Sequence, residues 1–187
     1  MNIILFGPPG AGKGTQAKYL EKKLNNFQVS TGDMLRDEIK KESEIGKKII
    51  NYMNEGKFVD DKIVNNLIKK VVFDKRKKGK LIFDGYPRTL DQAKNLDSWL
   101  TNSGQKIDFI FFLNVNKNTI IERIEKRKII ENRSDDDLDT ILKRYDTYME
   151  TTKPVLNYYS TNSNFNEING ALKIAEITTK INDILKV

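Results

Sequence analysis

The chain has 187 residues and a mass of 21.6 kDa, the size of one ordinary domain. Hydrophobic residues make up 38% and charged residues 32%, a balance typical of folded globular proteins, and the net charge of +7 is compatible with nucleic acid, anionic membranes or phosphate-bearing substrates as partners. Because the chain contains no Cys and no His, disulfides, zinc–thiolate sites, cysteine nucleophiles and serine-hydrolase triads are excluded, and a hard, oxygen-liganded ion such as Mg²⁺ is the candidate metal.

Short apolar runs bounded by Gly, Pro and polar residues predict the strands. The first run, at 1–6, has the composition of a strand that is buried on both faces. Further strands are predicted at 27–29, 81–83, 107–113 and 165–168.

Apolar residues spaced three and four apart predict helices between these strands. They are expected at 14–25, 30–40, 45–55, 60–72, 90–100, 119–128 and 138–149, and from 174 onward. Strands that alternate with helices predict a single α/β unit, in which helices cover both faces of a parallel sheet.

Several local signals predict where these helices begin and end. Ser30 is a candidate N-cap, Asp60 or Asp61 is another, and the pattern Ser134-x-x-Asp137 predicts a capping box. The basic cluster at 75–80 predicts a solvated helix end, with Gly79 as the stop.

The segment Gly-Pro-Pro-Gly-Ala-Gly-Lys-Gly-Thr at 7–15 matches the phosphate-binding pattern G-x₄-G-K. Its glycines allow successive backbone N–H groups to face phosphate oxygens, and the helix that follows adds its positive end. Lys13 supplies a mobile charge, and Thr15 carries the hydroxyl one place later than usual because Gly14 intervenes. The motif predicts a site for a nucleotide polyphosphate.

Two further motifs come after predicted strands, where ligands bind in open α/β sheets. The segment at 31–36 ends in Arg36, and the segment at 84–88 ends in Arg88; the planar guanidinium of each suits a phosphate. Asp84 has the position of a carboxylate that holds Mg²⁺ through water.

Together these motifs resemble those of the adenylate kinases. The resemblance covers essentially the whole chain, through 7–15, 30–36 and 83–89 with Gln92, and through the later arginines at 123, 127, 133 and 144. It implies the P-loop nucleoside-monophosphate kinase fold, with a five-stranded parallel sheet and helices on both faces. It also implies a core at 1–29, 60–125 and 137–187, an NMP-binding insert at 30–59 and a short lid at 126–136.

The resemblance assigns site residues to two nucleotides and to catalysis. On the ATP side it implies Gly10, Ala11, Gly12, Lys13, Gly14, Thr15, Arg123, Arg127 and the backbone at Leu172. On the AMP side it implies Thr31, Arg36, Lys57, Phe58, Val59, Gly85, Tyr86, Pro87, Arg88, Gln92, Arg133 and Arg144. The implied catalytic residues are Lys13, Arg88, Arg123, Arg133 and Arg144.

The resemblance also bears on metals. It implies a Mg²⁺ cofactor held by nucleotide phosphates and water, with Asp84 and Thr15 nearby. Only five residues separate Arg127 from Arg133, where many bacterial members carry a long lid that often holds zinc. We therefore expect the short-lid form without zinc.

The implied reaction is MgATP + AMP ⇌ 2 ADP, by direct in-line transfer. Two alternatives stay open at this point: a UMP/CMP kinase of the same fold, and a basic nucleic-acid-binding module, for which the chain offers no recognised motif. We expect ATP, AMP and ADP as the partners of a monomeric enzyme that binds neither nucleic acid nor membranes. Because 1–6 is too short and uncharged for a signal peptide and no run approaches the roughly 20 apolar residues of a membrane span, a cytoplasmic location is expected.

Overall fold

The structure, a computed structural model, describes residues 1–131 and 137–187. Within them, parallel strands form a five-stranded sheet in the order β2-β3-β1-β4-β5. The strands are Ile3–Phe6 (β1), Phe27–Ser30 (β2), Leu81–Asp84 (β3), Phe109–Asn114 (β4) and Phe165–Asn169 (β5). All five predicted strands are therefore confirmed, with bounds that differ by one or two residues.

The central strand shows why the apolar run at the start of the chain forms β-structure. Ile4 pairs with Phe83 on one side and with Ile110 on the other, and every residue of β1 is buried. A strand that is covered on both faces needs apolar residues in succession rather than in alternation.

Helices connect the strands and cover both faces of the sheet. They are Lys13–Leu24 (α1), Thr31–Lys40 (α2), Glu44–Asn54 (α3), Asp61–Val72 (α4), Leu90–Asn102 (α5), Lys117–Glu131 (α6), Leu138–Thr147 (α7), Lys153–Ser160 (α8) and Ile174–Leu185 (α9). Apolar residues of α4, α5 and α8 form one core cluster, and those of α1, α6, α7 and α9 form a second on the other face. The predicted α/β architecture is confirmed.

Two predicted N-caps are present. The Ser30 hydroxyl accepts a hydrogen bond from the Asp33 amide at 3.3 Å, and the Asp60 carboxylate accepts one from the Lys62 amide at 2.7 Å. Of the two candidates for α4, Asp60 is therefore the cap.

The predicted capping box is wrong. Asp137 is itself the N-cap of α7, because its carboxylate accepts a hydrogen bond from the Thr140 amide at 3.0 Å. It therefore precedes the helix instead of lying within its first turn, and Ser134 lies outside the described residues.

The continuous helix predicted at 138–149 is also wrong in part. Leu138 and Met149 are 49% and 37% exposed, whereas Ile141 and Tyr148 are buried. A π-helical segment at Tyr148–Thr152 follows α7, and the wider turn changes which side chains face the core. Helix α8 was not predicted, although Pro154 in its first turn is a recognised start signal.

The basic cluster is solvated but is not a helix end. Helix α4 ends at Val72, and Asp74 then caps a separate 3₁₀ turn at Lys75–Lys77. Gly79 has a φ of +67° and lies in the connection to β3, where the left-handed conformation favours glycine. In the part of the chain that is described, no helix has both the length and the apolar character needed to cross a bilayer.

Candidate functional site

A cleft opens beyond the carboxyl ends of β1 and β3. Its walls come from the loop after β1, from the segment 31–59, from the loop after β3 and from the α7 region. The sequence-predicted residues that line it are Lys13, Thr31, Arg36, Lys57, Phe58, Val59, Gly85, Pro87, Arg88, Gln92 and Arg144.

The loop after β1 has the backbone conformation that its glycines permit. Gly10 and Gly12 have φ values of +79° and +95°, and Gly12 is the N-cap of α1. A Cβ atom at Gly10 would lie 2.9 Å from a side-chain carbon of Ile124, so a larger residue would displace the loop from α6. The loop thus brings backbone amides and the positive end of α1 to the cleft.

Lys13 folds back over this loop. Its Nζ donates hydrogen bonds to the carbonyl oxygens of Gly7 and Pro8 at 2.8 and 3.0 Å. Burial lowers the pKa of Lys13 to about 8; the Asp84 carboxylate opposes this shift, and the guanidinium groups of Arg88, Arg144 and Arg127 add to it. The site therefore concentrates positive charge, which an anionic ligand would relieve.

The loop after β3 holds Arg88 at several points. Its Nε donates to the Gly85 carbonyl oxygen at 2.8 Å, its backbone N–H donates to Gln92 Oε1 at 2.7 Å, and its guanidinium lies 5.1 Å from the centre of the Phe58 ring. Because the guanidinium is oriented by backbone and aromatic contacts, it is ordered to receive a phosphate.

The motif at 31–36 is joined directly to that loop. The Thr31 hydroxyl donates to the Gly85 carbonyl oxygen at 2.8 Å, and Thr31 is buried. Arg36, one turn further along α2, pairs with Asp33 and keeps about a third of its side chain exposed, at 32%. A phosphate that enters the cleft would compete with the Asp33 carboxylate for this guanidinium.

The Gln92 side chain is buried and held by hydrogen bonds at both ends of its amide. It is 2% exposed; its Nε2 donates to Asp61 Oδ1 at 2.6 Å, while its Oε1 accepts from the Arg88 amide. Thr89 Oγ1 donates to the other Asp61 oxygen at 2.7 Å. Asp61, which the sequence analysis considered only as a helix cap, therefore anchors both Thr89 and Gln92 at the edge of the cleft.

Residues predicted for the ATP side meet at the amino-terminal end of α1. Arg123 Nη1 lies 3.4 Å from the Ala11 carbonyl oxygen, and Nη2 lies 3.4 Å from that of Leu172. Arg123 thus links the loop after β1 to Leu172. Arg127, one turn along α6, is close enough to Lys13 to lower its pKa.

Two predicted AMP-side residues are not placed in the lining of the cleft. Arg133 lies outside the described residues. Tyr86 is 1% exposed, and its hydroxyl donates to Asn65 Oδ1 at 2.8 Å, so its side chain supports the loop from within the core.

The π-helical segment contributes lining residues that the sequence analysis missed. Tyr148 and Thr152 both border the cleft, and the Thr152 hydroxyl donates to the Arg88 carbonyl oxygen at 3.1 Å. The buried Tyr148 hydroxyl has no hydrogen-bond partner among the described residues. Helical periodicity could not have identified this pair, because a π segment departs from the 3.6-residue repeat.

One acidic side chain lies beside the first turn of α1. Asp84 ends β3, and its Oδ2 would lie 3.4 Å from a Cβ atom at Gly14 in the first turn of α1; Thr15, the next residue, is exposed. In residues 1–131 and 137–187, no group of three His, Cys, Asp or Glu side chains could enclose a metal. Asp84 and Thr15 offer hard oxygen atoms that fit Mg²⁺ bound mainly by phosphate and water.

Comparisons with known proteins give a consistent result. The family model for adenylate kinase matches residues 5–164. The chain is 46% identical to the adenylate kinase of Pelagibacter ubique over the full length of both chains. It is 42% identical to that of a Caulobacter species, with 100% of this chain and 99% of the other aligned, and 41% identical to that of Mycoplasma mycoides over both full lengths.

Proposed function

The chain belongs to the adenylate kinase family, and we propose how its cleft performs that family's reaction, the reversible transfer of a phosphoryl group from ATP to AMP to give two molecules of ADP. A UMP/CMP kinase is not favoured, because the similar proteins named above are all adenylate kinases. The proposal concerns the residues that bind each nucleotide and what each contributes.

One observation carries the proposal: Lys13 and Arg88 line the same cleft, together with Arg36 and Arg144. Lys13 follows the amide-rich loop that suits a triphosphate, whereas Arg36 and Arg88 belong to the two motifs across the cleft. A donor phosphate on the loop and an acceptor phosphate on the arginines would therefore face each other, as direct in-line transfer requires.

Positioning and charge neutralisation supply the catalysis. Transfer of a phosphoryl group needs little covalent participation from the protein, since preorganised positive charge stabilises the transition state. Lys13, Arg88 and Arg144 surround the space between the nucleotides, and Arg123 and Arg127 act on the ATP side. From the sequence we also predict a catalytic role for Arg133.

The bases are bound at the two ends of the cleft. Thr31, Val59 and Gln92 face AMP, along with Lys57, Phe58 and the loop 85–87, while the Leu172 backbone supports the adenine of ATP. Insert 30–59 and lid 126–136 would close over the nucleotides and exclude water, which would otherwise accept the phosphoryl group.

Mg²⁺ fits this site as a partner of ATP. When bound, it neutralises the charge on the phosphate oxygens of the donor. Asp84 would hold water molecules of the ion, and the Thr15 hydroxyl would lie beside the same phosphates. The protein acts as a cytoplasmic monomer on ATP, AMP and ADP.

An assay that measures ADP formation from ATP with AMP, CMP, UMP or GMP tests the proposal. We expect AMP to be the preferred acceptor. We expect Lys13→Met to lower turnover by about 10³-fold, because the negative charge on the transferred phosphoryl group loses the Lys13 ammonium that stabilises it. Preference for CMP or UMP would contradict the assignment of the AMP pocket. Tight, salt-sensitive RNA binding without nucleotide turnover would instead indicate a nucleic-acid-binding protein.

A further inference from the structure

Gln28 belongs to none of the motifs described above and does not line the cleft. It lies in β2 in register with Ile82 of β3, and Asp84 is two residues further along β3 on the same face of the sheet. The Gln28 side chain is half-buried, and its Nε2 donates a hydrogen bond to Asp84 Oδ2 at 3.1 Å. Gln28 thus reaches diagonally to the Asp84 carboxylate on the neighbouring strand.

One oxygen of the Asp84 carboxylate has defined neighbours. Oδ2 receives the Gln28 amide and lies against Gly14, where a Cβ atom would be 3.4 Å away. Among the described residues, Gln28 is the side chain that donates a hydrogen bond to this carboxylate. Gln28 therefore fixes the carboxylate through the oxygen that lies beside the first turn of α1.

Lys13 competes for the same carboxylate. Asp84 is close enough to raise the pKa of Lys13 against the effect of burial, so the ammonium and the carboxylate attract each other. A direct ion pair between Lys13 and Asp84 would neutralise both the ammonium that is needed for ATP and the carboxylate that is needed for the metal. Lys13 instead donates to the Gly7 and Pro8 carbonyl oxygens, and Asp84 is held by Gln28.

The chemistry of the amide suits this task. A lysine or arginine at position 28 would cancel the charge of Asp84 and compete with a cation, whereas a neutral donor orients the carboxylate and leaves its charge intact. Gln28 is itself anchored, because its backbone N–H donates to Glu21 Oε1 at 3.0 Å.

We propose that Gln28 is a positioning residue that holds Asp84 away from Lys13 and orients its carboxylate toward the water shell of a nucleotide-bound divalent cation. The inference rests on the proposed function, because it assumes that Asp84 serves the metal. It adds a residue from β2 to the site.

The test compares Gln28→Leu, which removes the donor, with Gln28→His, which retains a ring N–H. The readout is the affinity of Mn²⁺ for the enzyme–ATP complex, followed by electron paramagnetic resonance, alongside the Kd of metal-free ATP and of AMP. We expect Gln28→Leu to weaken Mn²⁺ binding and turnover by about 10-fold or more, the usual effect of losing a residue that orients a metal ligand. The Kd of AMP should stay unchanged, the affinity for metal-free ATP should fall less than that for Mn²⁺ because the released Asp84 partly neutralises Lys13, and Gln28→His should restore most of the Mn²⁺ affinity.

Gln105→Leu is the matched control. Gln105 accepts a hydrogen bond from the Gly79 amide at 2.6 Å, near the amino ends of the strands, so its loss should affect stability and leave Mn²⁺ binding intact. Unchanged Mn²⁺ affinity in Gln28→Leu would overturn the proposal, as would equal weakening of metal-free ATP and AMP binding. If Asp84→Asn also left Mn²⁺ affinity unchanged, the metal placement in the proposed function would fail rather than the role of Gln28.

Discussion

Lys13 carries a positive charge that the proposed ATP site needs, in buried surroundings that disfavour the charged form. Its ammonium is held by two carbonyl oxygens, and burial lowers its pKa to about 8 in the free protein, with Arg88, Arg144 and Arg127 adding to the shift. A triphosphate beside Lys13 would favour the charged form and raise the pKa again. Binding of ATP and protonation of Lys13 are therefore linked.

The linkage has a definite sign. Between pH 8 and 9, part of the free protein carries a neutral Lys13, so we expect ATP binding to take up a proton and the affinity for ATP to fall as the pH rises through about 8. Calorimetric titrations in buffers of different ionisation enthalpy measure this uptake. Lys13→Met should abolish it, and an equal proton uptake in that variant would assign the effect to another group.

The lowered pKa of Lys13 makes the free energy of unfolding rise with pH, whereas the affinity for ATP falls. An unfolded chain keeps Lys13 protonated to a higher pH than the folded one, so the contribution of Lys13 to the free energy of unfolding rises with pH above about 8. At neutral pH the folded protein carries a charge that burial penalises. The Lys13→Met protein used to test turnover should accordingly unfold at a temperature no lower than that of the natural sequence.

At the scale of elements, the close packing of α2 and α3 determines the position of Arg36. Gly46 lies in the first turn of α3, and a Cβ atom there would be 2.1 Å from the backbone carbonyl oxygen of Glu38 in α2. Since the contacted oxygen belongs to helical backbone, no side-chain rotation could relieve the overlap. The absence of a side chain at Gly46 allows the helices to touch.

Gly46→Ala should therefore force α2 and α3 apart. We expect a loss of about 1–3 kcal/mol in the free energy of unfolding, typical of overpacking, although alanine is the better helix former. AMP affinity should fall as well, because Arg36 lies on α2. Denaturant unfolding and AMP titration measure the two effects. Asn51→Ala, at an exposed position of α3, is the control. Normal AMP affinity in Gly46→Ala would show that the contact between α2 and α3 does not influence AMP binding.

For the whole molecule, the cleft that we propose holds both nucleotides has walls that come from distant parts of the chain. A ligand that binds only the folded state stabilises it, by about 2.7 kcal/mol at a concentration 100-fold above its Kd. We expect AMP and a non-hydrolysable ATP analogue each to raise the Tm, and both together to raise it further. In Lys13→Met the shift with the ATP analogue should shrink while the shift with AMP persists; loss of both shifts would contradict separate donor and acceptor sites.

Motif residues were the most predictable part of the site. The loop 7–15 and Arg88 depend on local backbone chemistry, namely glycine conformations, helix starts and strand ends, so their positions could be predicted from short stretches of sequence. Three other residues could not be predicted in this way, because each contacts a part of the chain that is distant in sequence. Gln28 contacts Asp84, Asp61 contacts Gln92, and Tyr148 lines the cleft. No local pattern indicates such pairings.

The sequence alone determined the alternation of strands and helices, the parallel sheet and the glycine-rich loop before α1, since these follow from hydrophobic periodicity and from residues close together in the chain. The tertiary structure decided which oxygen of Asp84 is engaged, how far the pKa of Lys13 falls, and where the helix after α7 changes its pitch. The physical reason is that burial, electrostatic fields and contacts across the sheet depend on the positions of many side chains at once, and those positions exist only after the chain has folded.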